Sequence, residues 1–209
     1  MKKFLSIMLI SSIFLVAGLF ADAHKISRFP TPSFEELPKD IQATYKAMEK
    51  KFGFVPNFVK GMAHRPDELR AYLAYAKAVM QKKSGLSAAE KQMLIIAHSA
   101  YNGCIYCVAS HSASLRSITK NTILADQISV NYKEADISER ERAIIDFAIK
   151  VTNDSKSIDE NDYKTLNKHG LSNEDIWDIA AITAFFNMSN RMMSFAAIRA
   201  DDEFFKMGR

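Results

Sequence analysis

The sequence predicts an all-α protein, a compact bundle of about eight helices joined by short connections. Three observations carry this. Apolar residues recur three and four positions apart through most of the chain, the spacing of a helix face. Alternating runs of Val, Ile and Thr long enough to build a sheet are missing. The few glycines and prolines fall at joints: Pro30, Pro32, Pro38, Gly53, Pro56, Pro66, Gly85, Gly103 and Gly170.

In chain order, Lys2 and Lys3 precede an apolar run from Phe4 to Phe20, followed by Ala21-Asp22-Ala23. A basic start, an apolar core and a small-x-small site are the order of a secretory signal peptide, so residues 1–23 are expected to be removed after Ala23. An uncleaved N-terminal anchor is the competing reading. The mature chain, residues 24–209, is then an exported domain, periplasmic or secreted, with no further segment long enough to span a bilayer. The segments "LPKDIQATYKAMEKKFG", "PDELRAYLAYAKAVMQKK", "SERERAIIDFAIKVTND" and "NEDIWDIAAITAFFNMSNRMMSFAAI" each carry helical periodicity. Ser87 followed by Glu90 is a capping box that starts a helix running to about Tyr101. Asn102-Gly103 is a helix stop, and Cys104 opens the next helix.

With 209 residues, 48% of them hydrophobic, the chain can bury one sizeable core. Loss of residues 1–23 lowers the formal charge from +4 to about +3. Basic residues are interleaved with acids, as in "SERERA" and "NEDIWD", and form no basic stripe, so nucleic acid is not an expected partner. One internal echo stands out. "GLSAAEKQMLIIAHSAYNGC" from Gly85 and "GLSNEDIWDIAAITAFFNMS" from Gly170 share Gly, Leu and Ser, align Glu90 with Asp175 and Asn102 with Asn187, and suggest a weak duplication. Cys104 then aligns with Ser189 and Cys107 with Met192, so only the first copy carries thiols.

Those thiols, the only two in the chain, lie in "NGCIYCVASH". A cysteine at a helix start is near unpaired backbone N–H groups and the positive end of the helix dipole, both of which favour the thiolate. Cys107 and His111 follow at helical spacing, so two sulfurs and an imidazole share one face. A neutral imidazole there can take or pass a proton. A purely structural disulfide is the bland alternative in an exported protein, yet a bridge across two residues constrains the unfolded chain little. Zinc would need a fourth ligand from elsewhere, His98 or His64, and no second cysteine pair exists.

The pattern E-x-Q-x(11)-C-I-Y-C-V-A-S-H resembles the core motif of the alkylhydroperoxidase-D-like, peroxidase-related branch of the carboxymuconolactone decarboxylase superfamily. "FGFVPNFVKGMAHRPDELRAYLAY" before it and "GLSNEDIWDIAAITAFFNMSNRM" after it extend the resemblance over nearly the whole mature chain. The resemblance implies a helical fold of that type and a thiol peroxidase acting on organic hydroperoxides in antioxidant defence. It implies that Cys107 attacks the peroxide and becomes a sulfenic acid, that Cys104 resolves it to a disulfide, and that His111 belongs to the proton relay. It further implies an outside thiol or dithiol electron donor, no metal or organic cofactor, and a homo-oligomer, trimeric or hexameric. The departure is Gln92, where the family motif has a glutamate; an amide cannot accept a proton at neutral pH. Glu90 lies about 200° away around the helix axis and does not take that place; its other role is helix capping. Tyr106 stands where some relatives have a second histidine.

Three other functions fit the residues: a dithiol–disulfide oxidoreductase with little peroxidase activity, a non-enzymatic helical oligomer with a structural C-x-x-C bridge, and a lactone decarboxylase. The last is disfavoured because that branch does not depend on a cysteine pair. Asn187, Asn190 and Arg191 are candidates for contacts to the site or to a neighbouring subunit. Met188, Met192 and Met193 are candidates for an interface.

Overall fold

A computed structural model describes residues 25–209. The expected signal segment lies outside the described residues. Among these, secondary structure is helical throughout: α1 (Lys39–Phe52), α2 (Asn57–Met62), α3 (Pro66–Gln81), α4 (Ala88–Tyr101), α5 (Ile105–Thr119), α6 (Leu124–Asn131), α7 (Glu139–Asp154), α8 (Glu160–Lys168), α9 (Asn173–Phe195) and α10 (Asp202–Lys206), with three short 3-10 turns. Ten helices replace the expected eight. The two additional ones, α2 and α10, have six and five residues, too few for a hydrophobic period to register.

Helix α4 is the hub. Every residue from Glu90 to Ser99 is buried, because α5, α7, α9 and α6 all pack around it. A helix enclosed on all sides loses its polar face, and here Leu94, Ile95, Ile96 and Ala97 supply apolar contact in more than one direction. The buried Lys91 is satisfied by the end of another helix: its Nζ donates to the carbonyls of Met80 (3.2 Å) in the last turn of α3 and of Lys82 (3.0 Å) just after it. An ammonium there meets both the orphan carbonyls and the negative end of the dipole.

The two echoed segments start alike. Ser87–Glu90 and Ser172–Asp175 both form complete capping boxes, and Leu86 and Leu171 sit in one apolar cluster. They are also tied together. Asp175 Oδ1 accepts the Gly85 N–H at 2.6 Å. Arg140 on α7 donates to Glu90 Oε1, to the His169 carbonyl and to the Gly85 carbonyl. Further along, the aligned Asn102 and Asn187 touch, Asn102 Nδ2 donating to Asn187 Oδ1 at 2.7 Å. None of the described helices is long and apolar enough to cross a membrane.

Candidate active site

The dithiol is set by the joint between α4 and α5. Gly103, at φ +68°, turns the chain after α4, a conformation that favours a residue without Cβ. The Cys104 N–H is left bonded to the Ser99 carbonyl at 2.9 Å. Cys104 is therefore the N-cap of α5, one position ahead of its first turn, and its sulfur accepts the Cys107 N–H at 3.4 Å. The thiols are unbridged, with their sulfurs 2.9 Å apart. Each cysteine is only 2% exposed.

A cavity of about 270 Å³ opens beside this pair, with Phe52, Phe58, Tyr72, Cys107, His111 and Ser189 in its wall. Cys104 lies behind Cys107 and is not part of the wall. An incoming molecule thus meets Cys107 first.

The two sulfurs titrate as a unit. Hydrogen bonding from Cys107, helped by the Cys107 N–H, pulls the Cys104 thiol down to about 7 against the opposing effect of burial. Cys107 is pushed up, first by its hydrogen bond to Cys104 and then by burial. The first negative charge of the pair rests on Cys104. The Asn190 side chain favours the ionised form of both; it is fixed by donating to Ser99 Oγ (2.9 Å) and accepting from Asn102 Nδ2 (2.8 Å).

His111 bonds backwards, to α4. Its Nδ1 is 2.7 Å from Gln92 Oε1; facing an amide oxygen, Nδ1 carries the proton and Nε2 is left as the basic nitrogen. Phe186 meets the imidazole edge-to-face, with ring centroids 4.6 Å apart. Burial, with a smaller effect from His98, lowers the His111 pKa to about 3, so the ring is a neutral acceptor. Among the described residues no hydrogen bond joins His111 to either sulfur; the two meet as neighbours in the cavity wall.

Of the residues singled out in the sequence, Cys104, Cys107, His111 and Gln92 come together. Glu90 does not. Its carboxylate is held by the Ser87 N–H at 2.7 Å and by Arg140 Nε at 2.7 Å, at the far end of α4. Tyr106 contributes to the cavity wall and is anchored by donating to Asp201 Oδ2 at 2.9 Å and accepting from the Phe58 N–H at 3.3 Å. Asp201 also receives the Asn57 N–H, capping α2. His98 is fully buried, its Nδ1 on the Leu94 carbonyl at 2.7 Å. His64 stacks on Phe29 with ring centroids 5.4 Å apart, away from the thiols. Met193 is core, whereas Met188 and Met192 are exposed on α9. Arg191 bonds within α9, to the Asn187 carbonyl.

Sequence reasoning missed Ser189 and Tyr72. The internal echo had aligned Ser189 with Cys104, which marked the position but read it as a lost thiol. Tyr72, far away on α3, carried no signal.

The helical bundle thus holds a buried dithiol at a helix N-cap, one sulfur opening onto an apolar cavity beside a neutral histidine. Residues 66–129 match the carboxymuconolactone decarboxylase family. A structure described as an alkylhydroperoxidase AhpD core, an uncharacterized peroxidase-related protein from Ralstonia eutropha, is 50% identical, with a TM-score of 0.88 over 89% of this chain and 98% of that one. A second peroxidase-related protein, from a Silicibacter species, is 34% identical, with a TM-score of 0.84 over 88% of this chain and 97% of its own. The debrominase Bmp8, at 21% identity and a TM-score of 0.71 over 88% of this chain and 96% of its own, shares the fold. No curated protein matches. The chain belongs to the alkylhydroperoxidase-D-like branch of the carboxymuconolactone decarboxylase superfamily.

Proposed function

We propose that this protein is an exported thiol peroxidase that reduces organic hydroperoxides through a Cys104–Cys107 dithiol cycle. The observation that carries the reading is that Cys107 faces the cavity while Cys104 waits 2.9 Å behind it.

Once the proton shared by the pair moves to Cys104 or to His111, the Cys107 thiolate attacks the terminal peroxide oxygen. An S–O bond forms and the O–O bond breaks. The sulfur is oxidised to a sulfenic acid, and the departing alkoxide takes up the proton lost by the thiol and leaves as an alcohol. The Cys104 thiolate then attacks the Cys107 sulfur, forming the S–S bond and expelling hydroxide, which leaves as water with the second thiol proton. A disulfide of about 2.05 Å needs only a small closing movement from the reduced geometry. An external thiol or dithiol returns two electrons and two protons. His111, neutral and with a free Nε2, is suited to carry the proton. Gln92 orients it but cannot relieve it of charge, as a carboxylate would.

The apolar wall favours hydroperoxides with a hydrocarbon body. Export rests on the signal-like residues 1–23, and an N-terminus at His24 in the secreted or periplasmic fraction would support it. The exposed Tyr75, Met188 and Met192, which line one groove between α3 and α9, fit a homo-oligomer, to be checked by sedimentation.

Disulfide exchange without peroxidase activity is the second reading, favoured by the Cys104 thiol near 7. It is opposed by the burial of both sulfurs, since a protein disulfide must reach the attacking atom. Single-turnover oxidation of the reduced protein by cumene hydroperoxide, followed by mass spectrometry, separates the two. The peroxidase loses both thiols rapidly, stops at a trapped sulfenic acid in Cys104→Ser, and is silent in Cys107→Ser. Loss no faster than that of a free thiol sinks it.

A further inference from the structure

Ser189 on α9 is turned differently from other hydroxyls of this fold. Ser114, Ser117, Thr152 and Thr183 each donate to the carbonyl four residues back in their own helix, at 2.7–3.2 Å. This is the usual resting place of a helical hydroxyl. Ser189 Oγ, 1% exposed as a residue, has as its partners Tyr72 Oη at 2.8 Å and Cys107 Sγ at 3.9 Å. A hydroxyl chain therefore runs from α3 through α9 to the sulfur that faces the cavity.

We propose that Ser189 is a catalytic hydroxyl of the dithiol site, donating its hydrogen to the Cys107 thiolate, and that Tyr72 is the positioning residue that fixes this direction. The proposal rests on the reading of Cys104 and Cys107 as a working dithiol. The direction follows from donor arithmetic. A thiolate only accepts, so Ser189 must donate to it, and the Ser189 oxygen is then free to accept from Tyr72. All three groups are satisfied in that order. If Cys107 were the thiol and the donor, the chain would reverse, and the hydrogen of Tyr72 would be left facing an apolar cavity without an acceptor among the described residues. A buried donor left unpaired forfeits its hydrogen bond to water without replacement, so this order is disfavoured. Burial pushes the Tyr72 phenol up, so it keeps its hydrogen to donate.

The consequence concerns the shared proton. The Cys107 N–H donates to the Cys104 sulfur, and the Cys107 sulfur lies 2.9 Å from it; together they draw the charge to Cys104. The Tyr72–Ser189 chain is a counterweight on the other side of Cys107, shifting the proton towards Cys104 and the charge towards the cavity. The remaining titratable groups around Cys107 are His111 on its own helix, neutral, and Tyr106 with its partner Asp201. On α9 the flanking groups are the uncharged Ser189 and Asn190.

The test is the pH–rate profile of Cys107 labelling by iodoacetamide in the reduced full chain, resolved site by site by mass spectrometry. Ser189→Ala is expected to move the midpoint up by about one pH unit, a roughly tenfold slower reaction on the rising limb. Tyr72→Phe, which keeps the ring, is expected to move it the same way by less. A midpoint unmoved in Ser189→Ala overturns the proposal. So does faster labelling at every pH with the midpoint in place, the mark of a loosened core. A shift in Ser189→Ala with none in Tyr72→Phe removes Tyr72 from the chain. Should Ser189→Ala not fold, the Tyr72→Phe profile decides, and an unmoved midpoint overturns the proposal. Iodoacetamide consumes no peroxide, so a wild type inert to cumene hydroperoxide defeats the peroxidase reading while leaving this measurement intact.

Discussion

His111 on α5 donates its Nδ1 hydrogen to the side-chain oxygen of Gln92 on α4 across 2.7 Å. That bond sets the ring's tautomer and aim, and aims its free nitrogen, Nε2, as a base. It also limits the site, because an imidazole that takes a proton here gains no countercharge. Burial already holds the His111 pKa near 3.

Gln92→Glu supplies the missing charge with nearly the same shape. A carboxylate at Nδ1 raises the His111 pKa and lets the ring hold a proton in the transition state. Single-turnover oxidation of Cys107 by cumene hydroperoxide is expected to accelerate by about ten- to a hundredfold, within the usual range for general acid–base catalysis. A rate unchanged within twofold means that His111 is not the proton handler.

Two imidazoles, the buried His98 and the half-buried His111 in the cavity wall, make the fold sensitive to acid. The folded-state values of His98 and His111, about 4 and about 3, lie below the ordinary histidine value near 6.5, with burial the main cause in each. A depressed pKa contributes stability that is full above about 6.5 and is lost as pH falls towards the folded values, because the unfolded chain binds the protons first. The urea midpoint is expected to hold near pH 7.5 and to drop steadily between about 6.5 and 4. Imidazole NMR signals that titrate near 6.5 for either residue would contradict this.

The seam between the echoed segments is tight. A Cβ on Gly85 would lie 2.6 Å and 2.8 Å from the two carboxylate oxygens of Asp175, so Gly85→Ala must displace the carboxylate that accepts the Gly85 N–H. A loss of about 1–3 kcal/mol is expected by chemical denaturation. Arg140→Gln, which strips Glu90 of its guanidinium partner, is expected to cost about 2 kcal/mol, less than a fully enclosed pair because Arg140 keeps some solvent. Neither change should alter the rate of Cys107 oxidation in the protein that remains folded.

Tyr106→Phe keeps the ring in the cavity wall and deletes the hydroxyl that joins Asp201 to the Phe58 N–H. About 1–2 kcal/mol of stability should go with it, read from the urea midpoint. Burial already raises the Asp201 pKa, and loss of the phenol donor raises it further, so the deficit should shrink in acid. An equal deficit at pH 7 and pH 5 would mean that Asp201 gains nothing from Tyr106.

By itself the sequence determined what depends on near neighbours. Serine three residues ahead of an acid specifies a helix start whatever lies around it, so the Ser87–Glu90 cap could be read directly, and the echo set Asp175 at the position of Glu90. The Asn102-Gly103 stop places Cys104 at an N-cap, and three residues of helix bring Cys107 to it. The quoted motif and its flanks pointed to the same family that the related structures define. What only the tertiary structure decided lies between helices remote in sequence. The imidazole turned to Gln92, Glu90 turned away to Arg140, Cys104 fell behind Cys107, and Tyr72 reached Ser189 across 117 residues. These outcomes are set by how α3, α4, α7 and α9 pack around one core, and no local pattern encodes which side chains that packing brings within hydrogen-bonding distance.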